Sequence, residues 1–118
     1  MHDNKNKYLK ILRIEIEDLQ EDINDLIEHY KKESEIGNIS NYVFRENLVI
    51  FRKELLCLEM FFKILDSIDP DRYVNIDELI EFIRDSYDEK IKECGLIRAT
   101  SSFIERKLIK VKKYVIHE

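Results

Sequence analysis

Residues 40–68, SNYVFRENLVIFRKELLCLEMFFKILDSI, decide the fold. Read as a helix, they carry two apolar stripes. One runs Phe44, Leu48, Phe51, Leu55, Leu58, Phe62 and Leu65, in steps of four and three. The other runs Val43, Ile50, Cys57, Phe61, Ile64 and Ile68. Only a narrow polar strip is left, centred on Arg45, Arg52, Glu59 and Lys63. A helix that is apolar on nearly every side belongs inside a fold, with its neighbours packed around it. The expectation is a central rod that shields Phe51, Leu55 and Phe61 from water.

Upstream, residues 6–35 read as a first helix. Leu9, Leu12, Ile16, Leu19, Ile23, Leu26 and Tyr30 recur in alternating steps of three and four, a heptad seam. The seam can dock on the central rod within one chain, or pair with a second copy as a two-stranded coil. Ile11 and Ile14 lie off the seam and call for cover from the last helix or from a second copy. Gly37 supplies the left-handed residue that ends this helix, and Asn38 or Ser40 caps the next. So short a turn makes the two long helices antiparallel neighbours, each of about 28 residues and roughly 42 Å.

Downstream, Pro70 stops the rod, and Tyr73 and Val74 are expected to fold back on the core. Asn75 and Glu78 have capping-box spacing and open a third helix with an apolar face of Ile76, Leu79, Ile80, Ile83, Tyr87 and Ile91. Gly95 is placed to end it. Ser102 and Glu105 repeat the box for a fourth helix carrying Ile104, Leu108, Val111 and Val115. Strand propensity competes there, because Ile109 and Val111 alternate with lysines. The fold class is all-α: a four-helix, bundle-like single domain over residues 1–118, with two long antiparallel helices and two shorter C-terminal ones.

Composition agrees. Two glycines and one proline in 118 residues leave little turn chemistry, so few, long helices are expected. A 44% hydrophobic, 38% charged chain of this length can bury a core without staples. Cys57 and Cys94 lack metal-ligand spacing and suit a reducing cytoplasm, with Cys57 buried on its stripe. No signal peptide or membrane span is expected. The net charge of −5 argues against general binding to a phosphate backbone. Only the end is basic: Arg98, Arg106, Lys107, Lys110, Lys112 and Lys113 against Glu105 and Glu118.

Two acidic stripes are candidates for chemistry. Glu15, Asp18, Asp22, Asp25 and His29 share a face of helix one, and Glu78, Glu81, Asp85 and Asp88 share a face of helix three. Stacked carboxylates can hold Mg²⁺ or Mn²⁺, but the helix-three stripe points away from its apolar face, into solvent. His2, His29 and His117 form no zinc or di-iron pattern. There is no phosphate-cradling glycine loop and no nucleophile elbow. No cofactor, metal site or catalytic residue is expected.

Three functions compete. The first is a cytoplasmic protein-interaction module without catalytic activity, an adaptor, regulator or immunity-type binder. It uses apolar residues the fold struggles to bury, namely Ile11, Ile14, Tyr42 and Phe82, with a protein partner and a homodimer as the simplest case. The second is nucleic-acid binding through Arg98, Arg106, Lys107, Lys110 and Lys113, a segment poor in residues that read base edges. The third is a metal-dependent nucleotide phosphohydrolase using the acidic stripes. A further reading docks the basic end onto an acidic stripe.

Overall fold

The computed structural model describes residues 4–94 and 98–116, with the side chains of residues 93–101 outside the described set. Among the described residues it holds four α-helices and no strand: α1 (Asn4–Glu35), α2 (Asn41–Asp66), α3 (Ile76–Cys94) and α4 (Arg98–Ile116). A single 3-10 turn, Pro70–Arg72, lies between α2 and α3. The helices form a ring in which each packs on the next, and α4 closes it against α1.

Local chemistry sets the ends. Gly37 has φ +84°, and the bonds Gly37 N–H to Ser34 O (3.2 Å) and Asn38 N–H to Glu33 O (2.9 Å) form a Schellman closure of α1. Ser40 caps α2 by accepting from the Val43 N–H at 3.1 Å. Asn75 accepts from the Glu78 N–H at 2.9 Å, but the Glu78 carboxylate returns to the Val74 N–H, one residue before the cap. The last helix starts at Arg98, so Ser102 is no cap. Glu105, expected to reach back to Ser102, is taken instead by Arg84 of α3 in a two-pronged pair of 2.9 and 2.7 Å.

The core joins all four helices. Tyr8, Leu12 and Ile16 of α1 and Leu58 and Phe61 of α2 are fully buried. Leu79, Ile83 and Tyr87 of α3 and Ile104, Leu108 and Val111 of α4 complete it. Residues 103–116 are helical, because Ile104, Leu108, Val111 and Val115 share one buried face that a strand would split between two. Cys57 is buried as expected and lies beside Tyr87, whose ring meets Phe61 edge-on at 5.4 Å. Among the described residues the Tyr87 hydroxyl finds no oxygen or nitrogen partner, only the Cys57 thiol beside it, and burial together with that thiol raises its pKa. A buried hydroxyl whose neighbour is a thiol, a weak hydrogen-bonding group, recovers little of its desolvation cost. Tyr87→Phe is therefore expected to leave stability unchanged or raise it by up to about 1 kcal/mol, read as the urea midpoint.

The central-rod expectation needs correcting. Helix α1, not α2, packs on every other helix. Phe61 is fully enclosed, but Phe51 and Leu55 are only half-buried. The cause is length. Helices α3 and α4 have 19 residues each, about 28 Å, while α1 has 32 and α2 has 26. The short pair covers only the end where α1 begins and α2 finishes. Beyond it the α1–α2 hairpin projects as a two-helix arm, giving extents of 57 × 31 × 19 Å. The radius of gyration is 16.7 Å, against about 13.5 Å for a compact chain of this length. For the same reason Leu26, on the expected seam, is 43% exposed.

Candidate functional site

The arm holds together along one side only. Phe51 stacks on Tyr30 at 5.6 Å, and Arg13 lies over the Phe62 ring at 5.4 Å while also pairing with Asp66. These contacts face α2 toward α1. The second apolar stripe of α2 points elsewhere, and α3 covers it only from Cys57 onward. Before that point Tyr42, Val43, Val49 and Ile50 are exposed, and so is Leu56 on the same side. Tyr42 is the most open of them, at 72%. These five side chains form one exposed apolar face, the candidate site of this fold.

The four apolar residues singled out from the sequence are scattered. Ile11 is half-buried, packed on the core and beside Lys110, Val111 and Tyr114 of α4. Ile14 is exposed, three residues away on α1. Phe82 is 40% exposed, with Tyr73 tilted against it at 5.3 Å. Tyr73 thus folds back as expected, whereas Val74 is 83% exposed. Only Tyr42 belongs to the surface on α2. Val43 and Ile50 lie on a stripe continuous with buried Cys57, so periodicity alone does not distinguish them from core. The mismatch between a 26-residue helix and a 19-residue cover was the available signal that the stripe outruns its partner.

Several cations of the basic end are engaged by acidic side chains of neighbouring helices. Lys107 and Lys110 both hold Glu15 of α1, at 2.9 and 2.8 Å. Lys112 pairs with Asp77 of α3 at 2.5 Å. Arg106 lies over the Phe103 ring at 5.6 Å. Lys113 is exposed beside a cleft of about 390 Å³ between α3 and α4, lined also by Ile80, Arg84 and Ile109. The Arg98 side chain, His117 and Gly95 lie outside the described residues. Glu15 is the first member of the α1 acidic stripe, so Lys107 and Lys110 dock on that stripe at one position, while Asp77 lies outside the α3 stripe.

The Glu15 cluster has a pH signature. Hydrogen bonds from Lys110 and Lys107 hold the Glu15 carboxyl below the usual glutamate range. A carboxyl with a lowered folded-state pKa adds stability above its unfolded pKa, about 4.3, and that stability is lost as pH falls through the folded value. Wild type is expected to melt above Glu15→Gln at pH 7, and the gap should close as the solution is taken below the glutamate range. A constant gap in Tm at every pH would show that charge is not what Glu15 contributes.

The remaining carboxylates of both stripes, Asp18, Asp22 and Asp25 on α1 and Glu78, Glu81, Asp85 and Asp88 on α3, face solvent. Among the described residues no group of three or more His, Cys, Asp or Glu is arranged to hold a metal ion. Nor is any helix among them long and apolar enough to cross a membrane. No family model, curated protein or solved structure matches the chain.

Proposed function

We propose that the chain is a non-catalytic protein-interaction module of the cytoplasm that binds through the outer face of α2. One observation carries this reading: five large apolar side chains, Tyr42, Val43, Val49, Ile50 and Leu56, stand exposed on the projecting part of one helix. Val43, Val49, Ile50 and Leu56 are each roughly half covered already, so completing the burial of one is worth about 1 kcal/mol, and Tyr42, the most open, has more to gain. A surface of five such residues favours association without itself holding the domain together. The helix keeps its shape because Phe51 and its neighbours grip α1 on the other side. The cytoplasmic setting rests on Cys57, a buried thiol outside any disulfide. Nucleic-acid binding has less support, because Lys107 and Lys110 are engaged with Glu15.

The test is a photo-crosslinking residue substituted in living cells at Val49, and at the solvent-facing Asp85 of α3 as a control. The expected result is a protein adduct from position 49 alone. Absence of any adduct from position 49, in protein that is folded and expressed, would sink the reading.

A further inference from the structure

We infer that the partner on this face is a second copy of the chain, paired antiparallel about a two-fold axis that passes between Val49 and Ile50. The inference rests on the interaction-module reading and names its partner. At 100° per residue, the exposed apolar residues of α2 span an arc of about 140°. Two charged residues lie on its midline, Glu46 and Lys53. Both are exposed, and neither takes part in an ion pair among the described residues. A charged pair in the middle of an apolar face weakens it for an apolar partner, but gives register to a partner with the opposite charges at matching heights.

The second copy is such a partner. Glu46 stands three and a half residues before the axis and Lys53 three and a half after it, each about 5 Å away along the helix. An antiparallel two-fold brings Glu46 of each copy to the level of Lys53 of the other, forming two reciprocal pairs. Val49 and Ile50 meet their own counterparts beside the axis. Tyr42 comes within one residue, about 1.5 Å, of the level of Leu56 of the second copy at either end. Parallel pairing in register sets Glu46 on Glu46 and Lys53 on Lys53, so the charges select the antiparallel arrangement.

The covered half of the helix sets the same centre independently. Cys57 is fully buried beside Tyr87, so α3 closes this face from there on. The bare segment is residues 41–56, whose midpoint lies within one residue of the axis. The two copies overlap along their bare segments, and the α3 of each stands past the start of the other's α2.

Light scattering and sedimentation equilibrium on the full chain, from about 1 µM to 1 mM, test the inference. Wild type is expected to dimerise within that range. E46K and K53E should each weaken the dimer by roughly 10–30-fold, since two attractive pairs become repulsive. The double variant E46K/K53E should restore it to within about threefold, because the reciprocal pairs re-form with signs exchanged. Ile50→Arg should leave only monomer, with helix content by circular dichroism unchanged. A strict monomer at 1 mM overturns the inference. So does a dimer indifferent to these variants, or one weakened by both single reversals and not rescued by the double. A strict monomer that still gives a Val49 adduct with a different protein overturns self-pairing alone, leaving the module reading intact. A monomer with no adduct removes both.

Discussion

Phe61→Ala is expected to destabilise the protein by about 3–5 kcal/mol, read as a fall in the urea midpoint at unchanged slope. Phe61 is fully buried at the level where α3 joins the hairpin, and its ring lies edge-on to Tyr87. Its removal forfeits the transfer energy of the ring and leaves a hole that three helix backbones, already in contact, cannot close. Against a total of about 5–15 kcal/mol for a domain, that loss is large. In Tm it corresponds to more than about 10 °C. Tyr42→Ala, on the same helix but exposed, should shift stability by no more than about 0.5 kcal/mol in dilute monomer. Similar losses for both variants would contradict the division of α2 into an enclosed half and a bare half.

Tyr8→Ala should cost a comparable amount, about 3–5 kcal/mol. Tyr8 is fully buried near the start of α1, and its hydroxyl donates to the Leu108 carbonyl of α4 at 3.0 Å. Burial raises its pKa, so the ring stays neutral and remains a donor throughout the physiological range. This bond links residues 100 apart in sequence and ties the last helix to the first. Tyr8→Phe isolates the hydrogen bond and is expected to cost about 1 kcal/mol, leaving most of the effect to packing. The alanine variant should also open α4 to proteolysis before the rest of the chain, which limited trypsin digestion can read at Lys107, Lys110, Lys112 and Lys113. Cleavage that begins instead in α2 would show that Tyr8 does not fasten the C-terminal helix.

Periodicity made most of the fold legible. The helical repeat displays the apolar face of α3 through Tyr87, since Ile76, Leu79, Ile80, Ile83 and Tyr87 are all buried. Gly37 marks the end of α1 because a positive φ is a local need that a sequence displays, and of the two candidate caps, Asn38 and Ser40, the structure uses Ser40. Where local chemistry competed with a distant partner, the partner won. Glu105 has the spacing of a capping box, yet Arg84 holds it across a helix interface. Tyr8 is off the heptad seam and still fully buried, because α1 packs on α4 as well as α2 and its covered face is wider than a two-helix seam.

Sequence alone therefore determined the all-α class, the order and approximate ends of the first three helices, and which side of α3 turns inward, while strand propensity competed in the last segment, whose helix starts at Arg98 and not at Ser102. Those properties follow from the helical repeat and from end chemistry within a few residues. Tertiary structure alone decided how far along α2 the covering helices reach, and so which apolar residues became surface. A stripe of Val43, Ile50, Cys57 and Phe61 looks uniform as a sequence. Its first two members are exposed and its last two enclosed because burial depends on a second element being present at that height.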